Sequence, residues 1–428
     1  MTCEIAIMNR QAVVLAADSA TTVTNWVNGE KEERFYKGAN KIFQISHHHP
    51  VGLMIFDSAN LHNVPWEIIL KDFRNYLGEK SFNELQGYAD ELFRFIANHS
   101  ILFPASYQED IFLNECEQVA QAFFALFAPK EEPIKLANSR EERSEAYRAY
   151  FDRVRADLEN EELPSAFNTE EVDLLRARHA DGLQARLRAF VTTYSVDADV
   201  DVEQLTNLAI TALIKRHRYA MSKTGIVIAG YGDHEYFPGF LHYECYGILG
   251  GKFLSRELSS QRITHEGGSY VQPFATTSMV ETFWMGISPD LQSTLRNQNR
   301  ACIERAIEKI SAAIDVPIDP ALTSTLVAEG DSEYYEAYKE QVLNSHVWPM
   351  SRVLSSLPIE EMAELAETLI MLESLKEKVT KPTSSVSGPT DVVVISKIDG
   401  FVWLKRKHYF DPALNPRFFA RQSARIKS

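Results

Sequence analysis

The chain has 428 residues, enough for one large domain or two to three ordinary ones and for a substantial core. Hydrophobic residues make up 45% and charged residues 24%, a globular balance that excludes the disordered and membrane classes. The formal charge of −15 excludes a general nucleic-acid or anionic-membrane surface, because most of the protein would repel a phosphate backbone.

In chain order, residues 3–8 and "AVVLAA" flank Asn9-Arg10-Gln11 and predict a hairpin whose second strand is buried on both faces. A second hairpin is predicted from "KIFQIS" (41–46) and "VGLMIF" (51–56) around His47-His48-His49-Pro50. Three consecutive histidines on a turn cannot face one point, so they read as a solvated loop, and no metal or other cofactor is expected. From Val64 to about Arg218 the apolar period becomes helical, with residues 129–180 dense in Glu and Arg as on exposed helices.

Strand patterns return at "TGIVIAGYG", "GFLHYECYGILG" and 269–276. A helical stretch centred on residues 294–314 follows, and a linker-like region leads to Pro358, a plausible first helical position. Met362, Leu365, Ala366 and Leu369 then mark a buried helix face. "DVVVIS" and "GFVWLKR" are joined through an Asp399-Gly400 step, a strong hairpin signal.

The alternation of strands and helices predicts an α+β protein with two antiparallel sheets packed together and covered by helices. We read 1–428 as a single domain, with a helical layer and long insertion at 64–222, a second helical insertion at 285–355 and a basic aromatic tail at 411–428. Cys3, Cys116, Cys245 and Cys302 are scattered, which suits a reducing compartment. There is no 18-residue apolar run, signal-peptide pattern or P-loop, so a cytoplasmic protein without ATPase activity of its own is expected.

The start of the chain carries the chemistry. Removal of the initiator Met ahead of a small residue would leave Thr2 with a free amine of reference pKa about 7.7–8.0, able to accept its own hydroxyl's proton. Asp18 ends the buried strand "VVLAA", where a carboxylate needs a partner, and Lys41 opens the next apolar strand and can supply it. The alternative is a structural ion pair at strand ends. Cys3 could act as a nucleophile only if Thr2 were also trimmed, and otherwise reads as a small buried hydrophobe.

Thr2, "AADSATT", "NKIFQI" and "GLMIFDSA" together resemble the first third of a proteasome β-type subunit, of the N-terminal-nucleophile (Ntn) hydrolase superfamily. Thr2 and Asp18 stand at that family's nucleophile-to-aspartate spacing, and Lys41 falls on its lysine after a longer loop. "TGIVIAGYGDHEYFPGFLHYECYGILGG", "PFATTSM" and "SVSGPTDVVVIS" resemble its later segments, whereas residues 100–200 and 285–355 have no counterpart. The resemblance implies a four-layer αββα sandwich and a homo-oligomer cleaving peptide or small amide bonds, with a separate ATPase where substrates need unfolding. By the same resemblance Thr2 is nucleophile and base, Asp18 and Lys41 its ion pair, and Ser278 and Ser387 orienters of the terminal amine. Thr22 lies in the substrate-binding strand, and a backbone N–H near Phe56 or Asp57 is the oxyanion donor.

Ala20, Ser384 and Phe56-Asp57 depart from the family's usual Arg, Asp and Gly, a combination closest to divergent bacterial homologues of the Anbu kind. These departures keep two alternatives open: a non-catalytic ring or scaffold subunit, and a small-amide hydrolase on the same fold. The tail, with Phe410, Arg417, Phe418, Phe419, Arg421 and Arg425, is expected to dock on a neighbouring subunit.

Overall fold

The computed structural model describes residues 2–27, 30–193, 198–380 and 386–427. Met1 and Ser384 lie outside them, and the side chain of Arg425 is likewise not described. The opening apolar runs form β1 (Cys3–Asn9) and β2 (Ala12–Ala17), buried at every residue, with the Asn9 side chain accepting from Gln11 N at 2.9 Å to close the turn. β3 (Thr21–Val27) and β4 (Glu30–Tyr36) make a separate two-stranded ribbon, with Thr22 opposite Phe35. β5 (Ile42–Gln44) and β6 (Val51–Asp57) follow, then a short ladder of β7 (Asn60–Leu61) and β8 (Val64–Pro65).

After the first helical block come β9 (Thr224–Gly230), β10 (Gly239–Leu249), β11 (Lys252–Arg262) and β12 (Ser269–Ala275), and near the C-terminus β13 (Asp391–Ser396) and β14 (Gly400–Lys405). They build two five-stranded antiparallel sheets, ordered β12-β1-β2-β13-β14 and β11-β10-β9-β6-β5. The molecule is therefore α+β.

Strand alternation sends each residue to one face or the other. Ala6, Met8, Val13 and Leu15 of the first sheet share a core with Met54, Val227, Ala229 and Phe240 of the second. Cys3, Ile5, Ile7 and Val14 face the other way, against Met362, Ala366 and Leu369 of the helix Ile359–Thr380. Leu53, Ile226 and Ile228 on the far face of the second sheet pack against α1 (Trp66–Leu77) and α2 (Leu85–Ala97) through Trp66, Phe73, Tyr88 and Leu92.

Two helical insertions interrupt this plan. α3 (Ala105–Ala122), α4 (Glu132–Leu136), α5 (Arg140–Asn160), α6 (Thr169–Thr193), α7 (Val202–Lys215) and α8 (His217–Ala220) enclose a core of their own around Phe112, Phe151, Leu187 and Leu213, joined to the sheet through Tyr246 and Leu254. The second insertion comprises α9 (Ser278–Met285), α10 (Pro289–Ile314), α11 (Pro320–Val342) and α12 (Trp348–Leu354), and leads to α13 (Ile359–Thr380).

The linker-like expectation before Pro358 is corrected here, because most of that stretch is helical. Asp319 accepts from Ala321 N at 3.0 Å and places Pro320 in the first turn of α11. The helix buries Asp331 and Val342 and no apolar stripe, so it has no periodic signature. Asp331 instead clasps α10, accepting from Arg296 at 2.9 and 2.8 Å and from Arg300 at 2.6 Å.

The tail forms α14 (Pro416–Lys427), with the Phe410 ring packed on that of Phe418 at 4.9 Å. Among the described residues no helix is long and apolar enough to cross a membrane.

Candidate active site

Asp18 follows β2 directly and is almost wholly buried. Its Oδ1 accepts from Cys3 N at 3.1 Å, and its Oδ2 accepts from Ala20 N at 3.1 Å and Ser387 N at 3.0 Å. Lys41 Nζ, also buried, stands 2.5 Å from Oδ1. One carboxylate thus ties together the start of the chain, the loop leaving β2, the segment before β13 and the residue that precedes β5. Lys41 is fixed in turn, since its carbonyl accepts from Ile55 N of β6 at 2.9 Å.

Thr2 sits one residue before β1 and is half-buried, its carbonyl accepting from Thr276 N at 2.9 Å just past β12. Its hydroxyl donates to Glu4 Oε2 at 3.2 Å. Glu4 has no exposed surface, and its Oε1 lies 3.1 Å from Lys41 Nζ in an ion pair off the alignment of a hydrogen bond. Thr2, Glu4, Lys41 and Asp18 therefore form one continuous polar chain at the end of the first sheet. Burial pushes the Glu4 carboxyl up to about 7; Asp18 adds to the effect and Lys41 opposes it.

Sequence reasoning passed over Glu4. Its signal is faint: a single acidic residue within an otherwise apolar strand segment, two positions after the candidate nucleophile and therefore on its side of the strand.

No family model matches this chain, and no curated protein does. The site is therefore read from its own geometry.

Ser387 reaches the cluster through its backbone amide, with its side chain buried. Ser278 opens α9 and is bound to α13: its hydroxyl donates to Glu373 Oε1 at 3.0 Å and accepts from Lys376 Nζ at 2.5 Å, while Met279 N donates to Glu373 Oε2 at 2.7 Å. Among the described residues no hydrogen bond joins either serine hydroxyl to Thr2. The structure brings Thr2, Asp18, Lys41 and the Ser387 amide together and anchors Ser278 to α13.

Phe56 and Asp57 end β6, and Asp57 takes a left-handed φ of 65° that turns the chain out of the strand. The Phe56 ring lies over Gly225, where a Cβ would come within 2.1 Å of it, and stacks on Phe274 at 5.7 Å with His242 at 5.5 Å. Phe274 is the register partner of Glu4, so this aromatic group adjoins the polar chain. Burial lowers the His242 value.

Thr22 lies in β3, four residues beyond Asp18. Among the described residues β3 pairs with β4 alone, in a two-stranded ribbon whose other β3 edge has no strand partner.

The Cys3 thiol is pushed far up, first by burial and then by Glu4, Glu373 and Asp18, the reverse of an activated nucleophile. Among the described residues no group of His, Cys, Asp and Glu has the arrangement of a metal site.

Proposed function

We propose that this chain is a proteasome-like Ntn hydrolase, a four-layer αββα sandwich in which Thr2, freed of Met1, is the nucleophile that cleaves peptide or amide bonds. The observation that carries the reading is the buried Asp18–Lys41 pair, bound directly to the first strand and linked through Glu4 to the Thr2 hydroxyl. The sandwich is supported by the separate cores between the two sheets and beneath the helices on either side.

In this reading the α-amine of Thr2 receives the hydroxyl proton and Lys41 lowers the energy of the ionised oxygen, with Asp18 holding Lys41 in place. The open edge of β3 at Thr22 accepts an extended peptide as an added strand, and the turn at Phe56-Asp57 offers backbone N–H groups to the oxyanion. The protein works in the cytoplasm as a homo-oligomer, and a separate ATPase supplies unfolding where folded substrates require it.

One observation favours a scaffold subunit instead. Phe56, where the family has glycine, fills the space over Gly225 beside the site. Hydrolysis separates the two readings: a panel of peptide amides and acyl-amino acids should be turned over by the wild type and lost in Thr2→Ala and Lys41→Ala. Equal turnover by Thr2→Ala would contradict the nucleophile, and activity on acyl-amino acids alone would favour the small-amide enzyme.

A further inference from the structure

We propose that Glu4 is a second catalytic residue of this site, the group that takes the proton from the Thr2 hydroxyl and delivers it to the leaving amine. The proposal rests on the reading of Thr2 as nucleophile and puts Glu4 in place of the Thr2 amine as the group that receives the hydroxyl proton.

The geometry is direct. Glu4 Oε2 is the acceptor of the Thr2 hydroxyl, and its other oxygen is held by Lys41 Nζ. The four-group chain otherwise contains two buried carboxylates and one buried ammonium, an excess of negative charge away from solvent. A free Thr2 amine, carried by the same residue whose hydroxyl touches Glu4, is the cation that balances it. Held as an ammonium, that amine cannot accept a further proton, whereas the carboxylate already in contact with the hydroxyl can.

The groups facing Glu4 are few. Lys41 and Asp18 lie along the chain; Glu373 of α13 stands beyond Cys3 on the other face of β1; Phe274 of β12 is opposite, with the His242 ring 5.0 Å from it. Burial lowers the His242 value, so that beside the Thr2 amine it is Glu4 that titrates near neutral pH in contact with the nucleophile, and Glu4→Gln tells the two apart.

In acylation the Oγ1–H bond of Thr2 breaks as H–Oε2 of Glu4 forms. Oγ1 bonds to the substrate carbonyl carbon, whose π pair moves to oxygen. Collapse of that oxyanion expels the amine, which takes the proton from Glu4. A water molecule then attacks the ester, giving one proton to Glu4, which returns it to Thr2 Oγ1 as the acid leaves. Amide and water are consumed, acid and amine appear, and Glu4 ends unchanged.

The probe is a β-lactone, which acylates Oγ1 on ring opening and is read by intact mass over time from pH 5.5 to 8.5. The wild-type rate should rise through neutrality as Glu4 loses its proton. Glu4→Gln keeps the shape but cannot accept, so its rate should fall about 100-fold or more and its rising limb should vanish. Formate should partly restore labelling in Glu4→Ala, a response that a purely structural side chain would not give. A Glu4→Gln rate within about threefold of wild type, with the same pH profile, would overturn the proposal and leave Thr2 standing. A wild-type rate that is flat across this range would overturn it without any variant. Absence of label on Thr2 in the wild type would remove both readings.

Discussion

At the residue scale the site is a problem of charge in a dry place. Asp18 is stabilised there by three backbone N–H groups and Lys41, so removing Lys41 strands a carboxylate and should cost about 3–5 kcal/mol. Glu4 is less well served, and this has a thermodynamic signature. Its folded-state value of about 7 lies above the ordinary 4.5, so between these pH values the folded protein retains a proton that the unfolded chain has lost. Glu4 therefore contributes stability that is lost as pH rises from about 4.5 to 7. Glu4→Gln should melt like the wild type at pH 4 and be more stable at pH 8 by on the order of 2–3 kcal/mol, read from urea unfolding at the two pH values. Equal stability at both would show that Glu4 carries no buried-charge penalty. Asp18 and Lys41 were legible in the sequence because a charged residue at each end of an apolar run needs a partner. Glu4 was not, since an acidic residue within a strand ordinarily reads as its solvated face.

At the scale of elements, the strands that hold the site are those buried on both faces, and their continuous apolar runs make β1, β2, β9, β10 and β13 legible in the sequence alone. The elements that escaped notice bury little. β11 is exposed along most of its length, and α11 is held by Asp331 rather than by an apolar stripe. A solvated element leaves no period in the sequence. The β6–β9 pair offers a test of how the site depends on its frame. Gly225 faces the Phe56 ring, and a methyl group there would push that ring and the Asp57 turn aside. Gly225→Ala should lower β-lactone labelling of Thr2 about tenfold or more while the protein remains folded, with a stability loss of roughly 1–3 kcal/mol. Unchanged labelling would place the Phe56-Asp57 turn outside the working site.

For the whole molecule, two sheets and their flanking helices carry the candidate site, and both helical insertions are additions to that frame. α10 buries one apolar residue, Ile307, and leaves Leu291, Leu295, Ile310 and Ile314 exposed, more apolar surface than a solvated helix needs. The tail begins firmly, with Lys407 N donating to the buried Asp391 at 2.8 Å, and then folds its own aromatics together around Phe410. Its Arg417 and Arg421, on an otherwise acidic protein, suit an acidic surface on another copy. Deleting residues 411–428 should lower the oligomeric state measured by light scattering at moderate salt. A full-length protein that scatters as a 48.6 kDa monomer, or a truncated one that assembles unchanged, would remove this role from the tail.

The proposed hydrolase stands on Thr2 being a processed, N-terminal nucleophile. Its most direct test is the mass of the N-terminal peptide before and after treatment with a threonine-directed β-lactone. A processed nucleophile gives a peptide that begins at Thr2 and gains one equivalent of reagent, a gain abolished in Thr2→Ala. An N-terminal peptide that retains Met1 and stays unmodified would contradict it.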